Sequence, residues 1–215
     1  MIGYEATANA EPLSSLDIGA TGVAGSVSES GGVYTIKGSG ADIWGSSDQF
    51  YFLYQKMQGD FEVVARVQSI ANTNTWAKAG LMMRETLNAN SKNAFSMVSP
   101  GGTRFQARAQ TGGSSVTSGN GTTAPKWIRL VRAGNVFTGY FSSDDGTTWV
   151  QSGSATISMA QTIYVGLAVT SHVNSVLTTA VIDQVDLPGQ SGTLIQLGMA
   201  GEISAPAFTE RGSDR

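Results

Sequence analysis

The residues best suited to chemistry fall in two alternating rows. Trp76-Ala-Lys-Ala-Gly-Leu-Met-Met-Arg-Glu85 reads as a central β-strand. A strand sends successive side chains to opposite sides, which puts Ala77, Ala79, Leu81 and Met83 on one side and Trp76, Lys78, Gly80, Met82 and Arg84 on the other. Arg104 to Gln110 alternates more sharply, with Phe105, Ala107 and Ala109 against Arg104, Gln106, Arg108 and Gln110. If both strands share a sheet, their outward rows form a band of cationic and amide donors bordered by Trp76 and Trp44. Sugars are held by such pairings, an aromatic plane for the C–H face and planar donors for hydroxyl or carboxylate oxygens. The band suits an acidic polysaccharide. An antiparallel sandwich also keeps one polar face in water without any ligand, so a ligand face and a solvated face are both open readings.

Other reactive types are sparse. The single histidine, His172, is flanked by Ser171 and Asn174 but shows no Ser and Asp partner set; it reads either as structural or as part of the sugar face. Asp60 and Glu62 stand at i and i+2 at a strand entrance and read as turn and rim, while Glu85 is isolated. Ser142-Ser-Asp-Asp-Gly-Thr-Thr-Trp149 fits the Ser-x-Asp-x-Gly-x-Thr-Trp pattern of an Asp-box. In that turn the Asp accepts backbone N–H groups and Gly takes a positive φ. Sialidases repeat the motif, but one copy without an arginine triad predicts a structural hairpin.

Composition narrows the function further. Only 13% of the 215 residues are charged and glycine contributes 27, which favours many short strands and tight turns over helices. A formal net charge of −3 argues against a nucleic-acid partner. The chain has no cysteine, which removes disulfides, thiolate chemistry and Cys-type zinc sites. No run approaches the roughly 20 apolar residues of a membrane-spanning helix, so no membrane insertion is expected. Met1 to Pro12 lack the basic and apolar regions of a secretory signal peptide.

The elements that would position these residues follow a regular beat. Strands are expected at Leu16–Ile18, Val33–Lys37, Phe50–Gln55, Phe61–Ser69, Trp76–Glu85, Ala94–Val98, Arg104–Gln110, Lys126–Arg132, Asn135–Ser142, Thr147–Gly153, Ile163–Ser171 and Thr178–Leu187. In Phe50–Gln55 both faces look covered. About a dozen strands at short spacing, none alternating with helices, predict an all-β antiparallel sandwich or barrel over residues 14–187. Residues 1–13 read as an N-terminal arm and 188–215 as a tail or linker. The tail carries one apolar stretch, Leu194 to Leu197, that could add to a sheet edge.

Five segments together carry a resemblance. They are Gly38-Ser-Gly-Ala-Asp-Ile-Trp-Gly45, Asp48-Gln-Phe-Tyr-Phe, Gly59-Asp-Phe-Glu-Val, Trp76 to Glu85, and Tyr164-Val-Gly-Leu-Ala-Val-Thr-Ser-His172. They resemble the concanavalin A-like lectin/glucanase jelly-roll modules of uncharacterised function that recur in secreted bacterial proteins, within the laminin G-like superfamily. The resemblance implies a jelly-roll β-sandwich and leaves function open, since that fold hosts lectins, glucanases, adhesion domains and virion parts. The Glu-x-Asp-x-x-Glu pattern of its glucanases is absent, so no glycoside hydrolase activity is expected. Its lectins and laminin G-like members often hold calcium with loop carboxylates. One structural calcium is therefore an expectation, with Asp42, Asp48 and Asp60 near turns and Asp17 meeting Asp183 where first and last strands meet.

The expected function is a non-catalytic extracellular module that binds a glycan or adheres, on its own or within a larger host protein. Its expected sugar-binding residues are Trp44, Trp76, Lys78, Arg84, Arg104, Gln106, Arg108 and His172. The alternative is a structural subunit of a cell surface, virion or fibre whose arm and tail grip neighbouring copies.

Overall fold

The computed structural model describes residues 12–119 and 121–188. Of the arm expected at 1–13 and the tail expected at 188–215, residues 1–11 and 189–215, including Leu194 to Leu197, lie outside the described residues. Sixteen strands appear among the described residues, in chain order β1 (Ser14–Ile18), β2 (Ser26–Ser30), β3 (Val33–Gly38), β4 (Ile43–Trp44), β5 (Ser47–Asp48), β6 (Phe50–Gln58), β7 (Phe61–Ile70) and β8 (Lys78–Arg84). They continue with β9 (Asn93–Ser99), β10 (Gly102–Arg108), β11 (Val116–Ser118), β12 (Lys126–Ala133), β13 (Val136–Ser142), β14 (Val150–Thr156), β15 (Thr162–Thr170) and β16 (Thr178–Asp186). Two seven-stranded antiparallel sheets form. Sheet A runs β1-β6-β15-β8-β9-β10-β11 and sheet B runs β14-β13-β12-β7-β16-β3-β2. The fold is an all-β jelly-roll sandwich.

The stretch from Trp76 to Glu85 lies at the middle of sheet A, with β15 and β9 on either side of β8. Its apolar row faces sheet B: Ala79, Leu81 and Met83 pack in the main core with Val63, Ala65, Val67, Phe105, Ile128, Leu130, Val165, Leu167 and Val169. Burial of such side chains stabilises by roughly 1.5–3 kcal/mol each, and strict alternation sets which rows contribute. Four short or polar strands, β2, β4, β5 and β11, escape the sequence pattern because they are brief or carry few apolar residues.

A second core lies on the opposite side of sheet A. Phe50, Phe52, Met82, Phe95, Met97 and Ala168 point away from sheet B and pack with Ile18 and Ile43. The segments over them include the β4–β5 hairpin and loop 85–92, whose Leu87 and Ala89 pack against that cluster. The hairpin is a two-residue turn begun by Gly45 at φ 59°. Ile43 and Asp48 sit opposite each other in it and are buried, while their neighbours Trp44 and Ser47 are exposed. The backbone of sheet A crowds this outer face. A Cβ at Gly80 would lie 2.2 Å from the Ser96 carbonyl oxygen, and one at Gly166 would lie 1.9 Å from that of Leu53.

Candidate functional site

The register brings the two predicted rows onto one face of sheet A. Arg84 lies opposite Asn93, which lies opposite Arg108; Met82, Phe95 and Gln106 form the next row, and Gly80, Met97 and Arg104 the one after. Their exposure differs from the expectation. Lys78, Arg84, Gln106 and Arg108 are buried, so they do not form an open band for a ligand. The reason is the apolar company they keep: Met82, Phe95 and Met97 alternate with them and need cover, which buries the cations as well.

Each buried cation is satisfied by what covers it. Arg108 meets Asp48 in a fork, Nη1 donating to Oδ2 at 2.8 Å and Nη2 to Oδ1 at 2.6 Å. Its remaining N–H groups donate to the carbonyls of Trp44, Gly45, Ser91 and Gly113, which clips three loops together. Arg84 donates to Asp48 Oδ2 at 3.4 Å, to Thr86 O at 2.8 Å and to Asn88 O at 2.6 Å. Asn93 adds a bond to Asp48 at 3.1 Å. Burial pushes the Arg84 guanidinium down to about 10, with Asp48 opposing and Arg108 reinforcing the shift. The guanidinium stays charged at neutral pH, and the group acts as a structural clip.

At the margin of this face the chain opens. Lys78 donates to the Asp42 carboxylate and to Ile43 O at 3.2 Å; burial lowers its pKa against the pull of Asp42. His172, at φ 59°, places Nε2 3.1 Å from the other Asp42 oxygen. The sequence offers no adjacent partner for His172, and the structure supplies one 130 residues away. His172 and Asp42 are partly exposed. Trp76, 43% exposed, is set by an Asn74 turn in which Asn74 Oδ1 accepts Trp76 N–H at 2.9 Å and Asn74 O accepts Ala77 N–H. Gly101 N–H donates to Thr75 O and folds this turn over the β9–β10 connection. Arg104 thereby lies 5.8 Å from the Trp76 ring. Trp44, 38% exposed, stands on the outer side of the covering hairpin. Of the eight predicted sugar residues, Trp44, Trp76, Arg104 and His172 thus reach solvent here.

The five aspartates predicted as cation ligands do not converge. Asp48 is enclosed by Arg84, Arg108 and Asn93, and Asp42 is paired with Lys78 and His172. Asp60 accepts Gly134 N–H at 2.7 Å, and Asp17 accepts Gly25 N–H through both oxygens. Asp183 accepts Arg66 Nε at 2.8 Å and Nη2 at 2.6 Å. Asp17 and Asp183 do not meet, because β1 joins sheet A beside β6 whereas β16 joins sheet B between β7 and β3. Among the described residues no three His, Cys, Asp or Glu side chains gather at one point. These residues do not fit a calcium site.

The other outer face belongs to sheet B. Arg66 lies 5.8 Å from the Trp127 ring, and Arg129 lies 4.4 Å from that of Tyr140 and 5.1 Å from that of Trp149. The Asp-box closes as a structural hairpin at its end. Ser142 Oγ donates to Asp144 Oδ1 at 2.6 Å, Thr148 N–H donates to the same oxygen at 2.9 Å, and Gly146 takes φ 80°. Glu85 is not isolated: it meets Lys92 at 3.1 Å and accepts Ala160 N–H at 3.0 Å.

No sequence-family profile matches the chain, and no curated protein sequence does. Solved structures are similar in fold. A functionally unknown protein from Saccharomyces cerevisiae aligns at 20% identity over 75% of this chain and 90% of its own, with a TM-score of 0.61. A GH43 protein from Bacillus licheniformis aligns at 14% identity over 69% of this chain, with a TM-score of 0.51, and the match spans 32% of that protein. Lectin I-B4 from Griffonia simplicifolia aligns at 8% identity over 86% of this chain and 96% of its own, with a TM-score of 0.45. The topology and the first two of these likenesses together give an all-β jelly-roll β-sandwich.

Proposed function

We propose that this sandwich is a non-catalytic carbohydrate-binding module of the extracellular space or a cell surface, and that it binds at the open margin of sheet A. One observation carries the reading: Trp44 and Trp76 are both exposed on the outer side of sheet A, at the edge of a face otherwise sealed, with Arg104 against Trp76. An indole offers a flat apolar surface for the C–H face of a pyranose, and nearby polar groups orient its hydroxyls. Asp42 and His172 are a partly exposed acceptor and donor joined to this face through Lys78. A shallow margin buries little of a ligand, which sets the expected Kd at roughly micromolar to millimolar.

The test is a glycan array followed by calorimetry with neutral and acidic polysaccharides. Wild type should bind, and Trp76→Ala should weaken binding about tenfold or more. Trp149→Ala, on the opposite sheet, should leave it unchanged. Binding that withstands loss of both Trp44 and Trp76 would overturn the site, and failure to bind any glycan would overturn the function.

A further inference from the structure

Arg104 differs from every other arginine among the described residues. Arg66 pairs with Asp183, Arg84 and Arg108 with Asp48, and Arg129 with Glu62 at 3.8 Å. Arg132 donates to the carbonyls of Gly134, Gln161 and Ala160. Arg104 makes one hydrogen bond, from Nη1 to the adjacent Thr103 carbonyl at 3.0 Å, and meets no carboxylate among the described residues. A guanidinium presents five N–H groups in a planar fork suited to two oxygens of one anion. Most of that fork is unused here, on a half-buried side chain lying against an exposed indole.

The charge beneath this face points the same way. Lys78, Arg84, Arg104 and Arg108 share the outer side of sheet A, and the carboxylates set against them are Asp42 and Asp48. Four cations against two anions leave an excess of two positive charges, within a chain whose net charge is −3. Buried charge is poorly screened, so such a local excess attracts anions although the whole molecule is negative.

We propose that the ligand of this margin is an anionic saccharide, a pyranose bearing a carboxylate or sulfate ester whose oxygens take the free edge of the Arg104 guanidinium while its ring lies on Trp76. This rests on the carbohydrate-binding reading above and narrows it to a chemical class. A uronic acid and a sulfated sugar present the same pair of anionic oxygens, so both are tested.

Calorimetry on the full chain with three probes decides it: a galacturonate oligomer, its carboxyl-reduced neutral counterpart, and a sulfated galactan oligomer of equal length. Wild type should bind at least one acidic oligomer about tenfold or more tightly than the neutral one. The acidic oligomer that binds identifies the anion. Arg104→Gln should abolish that preference while leaving the melting temperature unchanged, and Arg104→Lys should restore part of it. Higher salt should weaken acidic binding alone. Equal binding of acidic and neutral oligomers overturns the anionic class and leaves the carbohydrate reading standing. An acidic preference that persists in Arg104→Gln overturns the role of Arg104. Binding of none of the three, nor of any array glycan, overturns the carbohydrate reading and this inference with it.

Discussion

The outer faces of the two sheets begin with similar alternation and meet different fates. On sheet B, Arg66 and Arg129 lie over the rings of Trp127, Tyr140 and Trp149, and all five side chains stay partly exposed. On sheet A, Lys78, Arg84 and Arg108 are sealed under loops. The deciding residues are the neighbours. Sheet A places Met82, Phe95 and Met97 among its cations and Phe50 and Phe52 beside them, a patch too apolar to leave in water. Sheet B places Glu62, Gln68, Thr138 and half-polar aromatics there, which tolerate solvent. Burying guanidinium groups is costly unless every N–H finds an acceptor. The covering loops supply carbonyls and Asp48 for that purpose. A cation on a sheet face therefore marks a surface only when its neighbours can also be wet.

The sharpest way to break this comparison is to remove one carboxylate from each face. Asp48→Asn leaves two fully buried arginines without a counter-charge, and urea unfolding should show a loss of about 3–5 kcal/mol. Asp183→Asn removes a carboxylate whose partner Arg66 is about a third exposed, and the loss should be about 1–2 kcal/mol. Equal losses from the two variants would show that the cover over sheet A contributes nothing to the difference.

The fold is legible from sequence because period-two alternation is clear in strands such as β7, β10 and β12. Phe105, Ala107 and Leu81 announce the main core without any knowledge of what they touch. The site is only half legible. Trp44, Trp76 and Arg104 reach solvent as their types suggest. Arg84, Arg108 and Lys78 do not, since the cover comes from segments distant in sequence, and Arg108 is joined to Gly45 across 63 positions. A signal was nonetheless present: Met82 shares the row of Lys78 and Arg84, both faces of Phe50–Gln55 are apolar, and Ile43-Trp-Gly-Ser-Ser-Asp48 has the length of a tight hairpin. The pairing of His172 with Asp42 carries no local signature, because it depends on β15 ending beside the turn before β4.

A smaller contrast lies between the carboxylates of the two faces. Asp144 is solvent-exposed and held only by its own turn, yet Ser142 Oγ–H, Thr148 Oγ–H and Thr148 N–H lower its pKa from 3.8 to about 2. The folded hairpin thus prefers the anion. That preference is complete above the unfolded value near pH 4 and disappears as pH falls through about 2. NMR titration of the Thr148 amide should give a midpoint near 2 in the wild type and no such transition in Asp144→Asn. A wild-type midpoint near 3.8 would mean that these bonds do not favour the anion.

The smallest expected effect tests the cover itself. Gln106 lies on β10 between Arg104 and Arg108, opposite Phe95 on β9 and Thr117 on β11, and is 4% exposed. Its Oε1 is buried without a hydrogen-bond donor among the described residues. An unsatisfied buried acceptor costs about 1–3 kcal/mol, and an apolar side chain of similar shape removes that cost. Methionine is unbranched and close in volume, and it fits irregular gaps. Gln106→Met should therefore be neutral or stabilise by up to about 1 kcal/mol. Arg108→Met, two residues along the same row, should cost about 3–5 kcal/mol, because it strands Asp48 and the carbonyls that Arg108 gathers. Urea unfolding of the pair reads both. A loss above about 1 kcal/mol in Gln106→Met would show that the amide is satisfied after all, and that the cover over sheet A is built on polar bonds at every position of that row.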